Sequence, residues 1–133
     1  DILEFCGGVK DSAKKVIVGG PMMGVAQFDF AAPVMKATSG ILVLTEEEIN
    51  SHEETPCLKC GMCVGVCPLS LTPTKLARLS QLDKIEEAEQ LGISVCMECG
   101  TCAYTCPANI PLVQWIRLGK QRVNKLKLEK KTA

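Results

Sequence analysis

The pattern of hydrophobic and polar positions changes character near residue 52. Upstream, apolar residues come in short unbroken runs, and Lys15-Val16-Ile17-Val18 and Ile41-Leu42-Val43-Leu44 read as buried strands. The first run closes on Gly19-Gly20-Pro21-Met22-Met23-Gly24, which carries no phosphate-loop pattern and reads as a β-turn packed by methionine. Ahead of it, Ile2-Leu3-Glu4-Phe5-Cys6 predicts a short helix that Gly7 and Gly8 would end. Cys6, among apolar neighbours, predicts a buried structural thiol. Residues 25–30 are weakly apolar, and 32–40 read as an extended segment and turn. Thr45-Glu46-Glu47-Glu48 has capping-box spacing, so a short helix should start at Thr45. The polar stretch 49–56 ends in Pro56 and is the expected linker, with His52 exposed in it.

Downstream the period becomes helical. Pro73 opens a segment in which Leu76, Leu79 and Leu82 form a stripe. Asp83 is placed to cap a second helix bearing Ile85, Ala88 and Leu91, ended by Gly92. Asn109 is placed to cap a long third helix from about Pro111, with Leu112, Trp115, Ile116, Gly119, Val123 and Leu126 on one face. Trp115 at that spacing reads as core packing, and the opposite face is basic.

Composition narrows this picture. A chain of 133 residues, 47% hydrophobic, holds one or two small domains, expected as 1–52 and 53–133. No apolar stretch is long enough to cross a bilayer, and no signal-peptide pattern is present. The first residue is Asp, and the opening reads like the middle of a longer polypeptide. Formal net charge is zero, but 46–54 is acidic and the tail from Arg117 to Lys131 is basic. That basic face suits either a partner or anionic membrane surface, or plain solvation.

The chemistry lies in the cysteines. Cys57-Leu-Lys-Cys60-Gly-Met-Cys63-Val-Gly-Val-Cys67-Pro68 and Cys96-Met-Glu-Cys99-Gly-Thr-Cys102-Ala-Tyr-Thr-Cys106-Pro107 share one spacing, C-x2-C-x2-C-x3-C-P. This is the iron–sulfur run in which the fourth cysteine serves the other of two clusters. Cys57, Cys60, Cys63 and Cys106 are therefore the expected ligands of one [4Fe–4S] cluster. Cys96, Cys99, Cys102 and Cys67 are those of the second. Amides of Gly61, Met62, Gly100 and Thr101 are expected to donate to cluster sulfurs. Zinc, the alternative for C-x2-C pairs, would need two pairs and a longer spacer, and would make this a structural interaction module. Eight run cysteines, with Cys6 as a ninth, imply a reducing compartment, cytosolic or facing the cytosol. No acid–base pair, nucleophile or nucleotide loop accompanies them, so electron transfer rather than catalysis is expected. The long helical spacer between the runs departs from a compact bacterial ferredoxin. The fold class is thus α+β: a mostly helical, ferredoxin-like two-cluster domain preceded by an α/β segment.

Gly19-Gly20-Pro21-Met22-Met23-Gly24, Pro33-Val34-Met35-Lys36-Ala37-Thr38-Ser39-Gly40-Ile41-Leu42, both cysteine runs and Ile110-Pro111-Leu112-Val113-Gln114-Trp115 together resemble the C subunit of the Rnf complex. That family belongs to a membrane-associated, ion-translocating ferredoxin:NAD⁺ oxidoreductase. The resemblance implies that residues 1 to about 24 end a β-grasp domain. It places the FMN and NADH sites in a preceding part of the parent subunit, on no residue of this chain. It also implies the other Rnf subunits as partners, above all the ferredoxin-like B subunit. No nucleic acid is expected, and the location implied is peripheral, on the cytoplasmic face of the bacterial inner membrane. A rival within the same chemistry is the iron–sulfur arm of a heterodisulfide-reductase-like or glycolate-oxidase-like enzyme.

Overall fold

The computed structural model describes residues 1–49 and 53–132. Two compact units divide between residues 52 and 53. His52, with the middle of the expected linker, lies outside the described residues.

The first unit is a three-stranded antiparallel sheet of order β2-β1-β3. Helix α1 (Ile2–Phe5) precedes β1 (Ala13–Val18), β2 (Val25–Gln27) and β3 (Ile41–Thr45). β1 is the central strand, paired on both edges, and its Val16 and Ile17 are buried. Its neighbours pair in register, Val18 with Val25 and with Ile41. The ladder to β3 is interrupted between Ala13 and Lys15 by a bulge. β2 was not evident in the sequence. The expected helix at Thr45 is a single 3₁₀ turn, Glu46–Glu48, although its capping box is present: Thr45 donates its N–H (2.8 Å) and hydroxyl (3.0 Å) to Glu48 Oε2. Those bonds hold the Glu48 carboxyl below its ordinary range. Cys6 is exposed, against expectation, because α1 is one turn long and buries none of its residues.

The second unit is helical. Its largest contact is between α3 (Pro73–Gln81) and α6 (Leu112–Thr132), with α4 (Ile85–Gln90) packed beside them. Thr72 precedes α3, and Pro73 takes the first turn, where a missing N–H leaves no hydrogen bond unmade. Leu76, Ala77 and Leu79 of α3, and Leu112, Val113, Ile116 and Val123 of α6, form one core with Ile85, Ala88 and Ile93. Trp115 packs against it from the edge. Gly119 sits where the helices cross: a Cβ there would overlap the Ser80 hydroxyl. Ser80, fully buried, donates that hydroxyl to the Leu76 carbonyl (2.9 Å), so the hydroxyl itself is paired.

Two expectations fail around α3 and α4. Leu82 and Leu91 are exposed, because each falls on the residue that ends its helix. Asp83 does not cap α4, whose N-cap is Lys84. It takes a left-handed backbone (φ 57°) and pairs with Arg122 of α6 at 2.9 Å.

Candidate functional site

The two cysteine runs fold alike. Cys57 and Cys96, Cys60 and Cys99, Cys63 and Cys102, and Cys67 and Cys106 each lie 39 positions apart, and the backbone repeats at the same interval. The residue before the second cysteine is left-handed in both runs, Lys59 at φ 55° and Glu98 at 58°. So are the glycines after it, Gly61 (78°) and Gly100 (87°). A side chain held at positive φ costs about 1–3 kcal/mol, and its recurrence at equivalent positions points to use. Alternating backbone hand gathers N–H groups on one concave side, a nest for anionic sulfur. One turn of helix follows in each half, α2 (Met62–Gly65) and α5 (Thr101–Tyr104), burying Cys63 and Cys102. Ser70 and Asn109, both at φ 52°, then turn the chain toward α3 and α6.

The eight cysteines part into two cavities. Cys57, Cys60 and Cys63 of the first run line one of about 650 Å³ together with Cys106 of the second. Cys96, Cys99 and Cys102 line the other together with Cys67 of the first. The second cavity is small, about 20 Å³ and lined by Leu71, Val113 and Ile116, which is room for about one water molecule. Donor chemistry fits an iron–sulfur cube at both sites. Space for it is present at the first site, whereas the second, at about 20 Å³, is drawn in tighter than a cube. Among the described residues no three His, Cys, Asp or Glu side chains converge as they would on a single metal ion.

Backbone N–H groups already reach sulfur. Lys59 donates to Cys57 and Leu71 to Cys67, each at 3.4 Å. Burial pushes the Cys102 thiol up to about 11, with neighbouring cysteines adding to it. Burial also raises Cys96, against a hydrogen bond from the Glu98 amide. Cys99 is lowered by the hydroxyl and N–H of Thr101. Glu98 ties the second loop to α6: it accepts from Arg117 Nε at 2.8 Å and from Lys120 Nζ at 2.7 Å. Lys120 also donates to the Cys96 carbonyl at 2.8 Å. Burial opposes the charged carboxylate, yet the two cations outweigh it and hold Glu98 below its ordinary range.

Comparison with known proteins agrees with this chemistry. Residues 53–110 match the family model of the 4Fe-4S dicluster domain. The chain is 46% identical over 90 residues to the C subunit of the proton-translocating ferredoxin:NAD(+) oxidoreductase complex of Clostridium ljungdahlii, covering 68% of this chain and 20% of that protein. Against the C subunit of the ion-translocating oxidoreductase complex of Rhodobacter capsulatus the identity is 42% over 124 residues, 93% of this chain and 24% of that protein. Against the Yersinia enterocolitica protein of the same name it is 41% over 133 residues, 99% and 19%. This chain belongs to the Rnf C-subunit family. It spans about one fifth of the length of those curated relatives.

Each cavity brings together the four cysteines that the spacing assigns to one cluster. Of the expected amide donors, Thr101 serves Cys99. Lys59, Leu71 and Glu98 were missed, because donation depends on the backbone hand and leaves no mark in residue type. The basic face of α6 is largely paired within the unit: besides the Glu98 pairs, Lys127 meets Glu89 at 2.5 Å and Lys130 meets Glu86 at 3.6 Å. Among the described residues no helix is long and apolar enough to cross a membrane.

Proposed function

We propose that this segment relays electrons through two [4Fe–4S] clusters within an Rnf-type complex. Donor and acceptor would be a flavin- and NADH-binding domain elsewhere in the parent subunit and the ferredoxin-like B subunit, at the cytoplasmic face of the membrane. The observation that carries this reading is the crosswise sorting of the cysteines, three of one run with the fourth of the other in each cavity. Cys57, Cys60, Cys63 and Cys106 would hold the first cluster, and Cys96, Cys99, Cys102 and Cys67 the second. A cube held by four thiolates offers no open iron and exchanges one electron at a time.

The chain's own residues do the rest. Cys63 and Cys102, on neighbouring short helices, bring the sites close, since α2 and α5 pack on one another. The nest amides offset the negative charge of thiolate and sulfide and favour uptake of an electron. Leu71, Val113 and Ile116 exclude water from the second site, which disfavours the same uptake.

Anaerobic iron and sulfide analysis with EPR of the reduced parent subunit tests the reading. About eight of each per chain is expected, with spin-coupled signals. Cys106→Ser should remove the same signal as Cys57→Ser, and Cys67→Ser the same as Cys96→Ser. Zinc without sulfide overturns the function; loss of the Cys96 signal in Cys106→Ser overturns the crosswise ligation.

A further inference from the structure

The two halves share a backbone but not a rim. At the second site the charges are matched within the molecule: Glu98 is held between Arg117 and Lys120, and all three side chains are about three-quarters buried. The equivalent positions at the first site, 39 residues earlier, are Lys59, Arg78 and Gln81. The carboxylate has become a lysine, so no clamp can form. Lys59 and Arg78 line the first cavity with Lys75, and all three are exposed. None makes an ion pair among the described residues; Glu54 is the carboxylate on that rim. Between these cations lie exposed Pro56 and Pro107, and Leu58 at 67% exposure. Cys57 and Cys60 are exposed along the same lining, whereas Cys96 and Cys99 are half-buried.

We propose that this exposed lining is the docking surface for an acidic one-electron carrier protein, whose carboxylates meet Lys59, Lys75 and Arg78 around an apolar contact on Leu58. The proposal rests on the electron-relay reading and adds where the partner sits. The cations flank a cavity that leads to thiols, and flank it from two elements, the Cys57 loop and α3. A membrane would be met by a flat stripe, and the basic stripe of α6 is largely paired within the unit. An apolar centre within a charged rim is the usual anatomy of such contacts, and opposite charge steers encounter.

The test uses the parent subunit, its iron and sulfide measured first, so that missing clusters are told apart from missing docking. The probe is an oxidised, fluorescently labelled acidic two-[4Fe–4S] ferredoxin, whose binding needs no electron transfer. The triple substitution Lys59→Glu, Lys75→Glu and Arg78→Glu should slow association about tenfold or more at low ionic strength, the difference closing as salt is added. A control pair, Lys125→Glu with Lys131→Glu, should leave the rate within about twofold. Carbodiimide, which joins amines to carboxylates at zero length, should link Lys59 and Lys75 to the ferredoxin. Equal slowing in both variants, cross-links confined to lysines of α6 or of the sheet, or binding of anionic vesicles but not of ferredoxin overturns the proposal.

Discussion

Glu98 occupies the position where, in the other half, the chain carries Lys59, and this one difference decides how each loop is restrained. Its two charge-assisted hydrogen bonds, and the bond from Lys120 to the Cys96 carbonyl, fasten a strained loop to the first turns of α6. Glu98→Gln should therefore cost about 1–3 kcal/mol, read as a lower urea midpoint of the cluster-loaded protein. Because the folded carboxyl is held below its ordinary value, its contribution is fully present above the unfolded pKa and is lost only as pH falls through the folded one. The midpoint difference between parent and variant should thus stay constant from about pH 8 down to about 5. A difference that faded between about pH 8 and 6 would assign the effect to another group. Lys120→Met should add to it by releasing the Cys96 carbonyl.

Among the elements, the α3–α6 crossing carries most of the helical unit. Gly119→Ala presses a methyl group into Ser80 and Ile93 and should cost about 1–3 kcal/mol. Ser80→Gly in the same molecule should restore part of that, as contacting residues do when they share one space; strict additivity in urea unfolding would refute the crossing as the cause. By contrast, Lys127→Ala with Lys130→Ala removes only surface pairs to α4 and should cost under about 1 kcal/mol. Elements were legible where one run of residues decides the outcome. Val16-Ile17-Val18 and the α6 stripe are of that kind, because burial follows directly from their pattern. β2 was not, since its Val25-Ala26-Gln27 becomes a strand only by pairing with β1. Asp83 has the chemistry of a cap, but Arg122, 39 residues on, offered a charge that a local reading of residue type does not show. The grouping of the cysteines was legible because their spacing is local, while the hand of Lys59 and Glu98 answers to the cavity they surround.

For the molecule as a whole, each cavity takes its wall from both runs, so neither loop closes a site by itself. Metal binding then contributes to folding across the whole helical unit. Removing iron with an anaerobic chelator should lower the urea midpoint of residues 53–133, followed by Trp115 fluorescence, which lies against that core. Hydrogen exchange in β1 and β3 should change little, since that unit contains none of the cavity-lining residues. Equal protection loss in both units would show that they unfold as one body.

Ser80 and Gly119 are counterparts 39 positions apart, and they touch. A residue that meets its own counterpart stands on an axis, where any side chain must share its space with its mirror role. Were the two halves identical in sequence, that spot would admit only a residue small enough to tolerate itself. Here the halves differ, and one serine can fill what two could not, with glycine yielding the room. Divergence at this point is thus a gain in fit: a single chain can assign its two middles different sizes, which two identical copies cannot do.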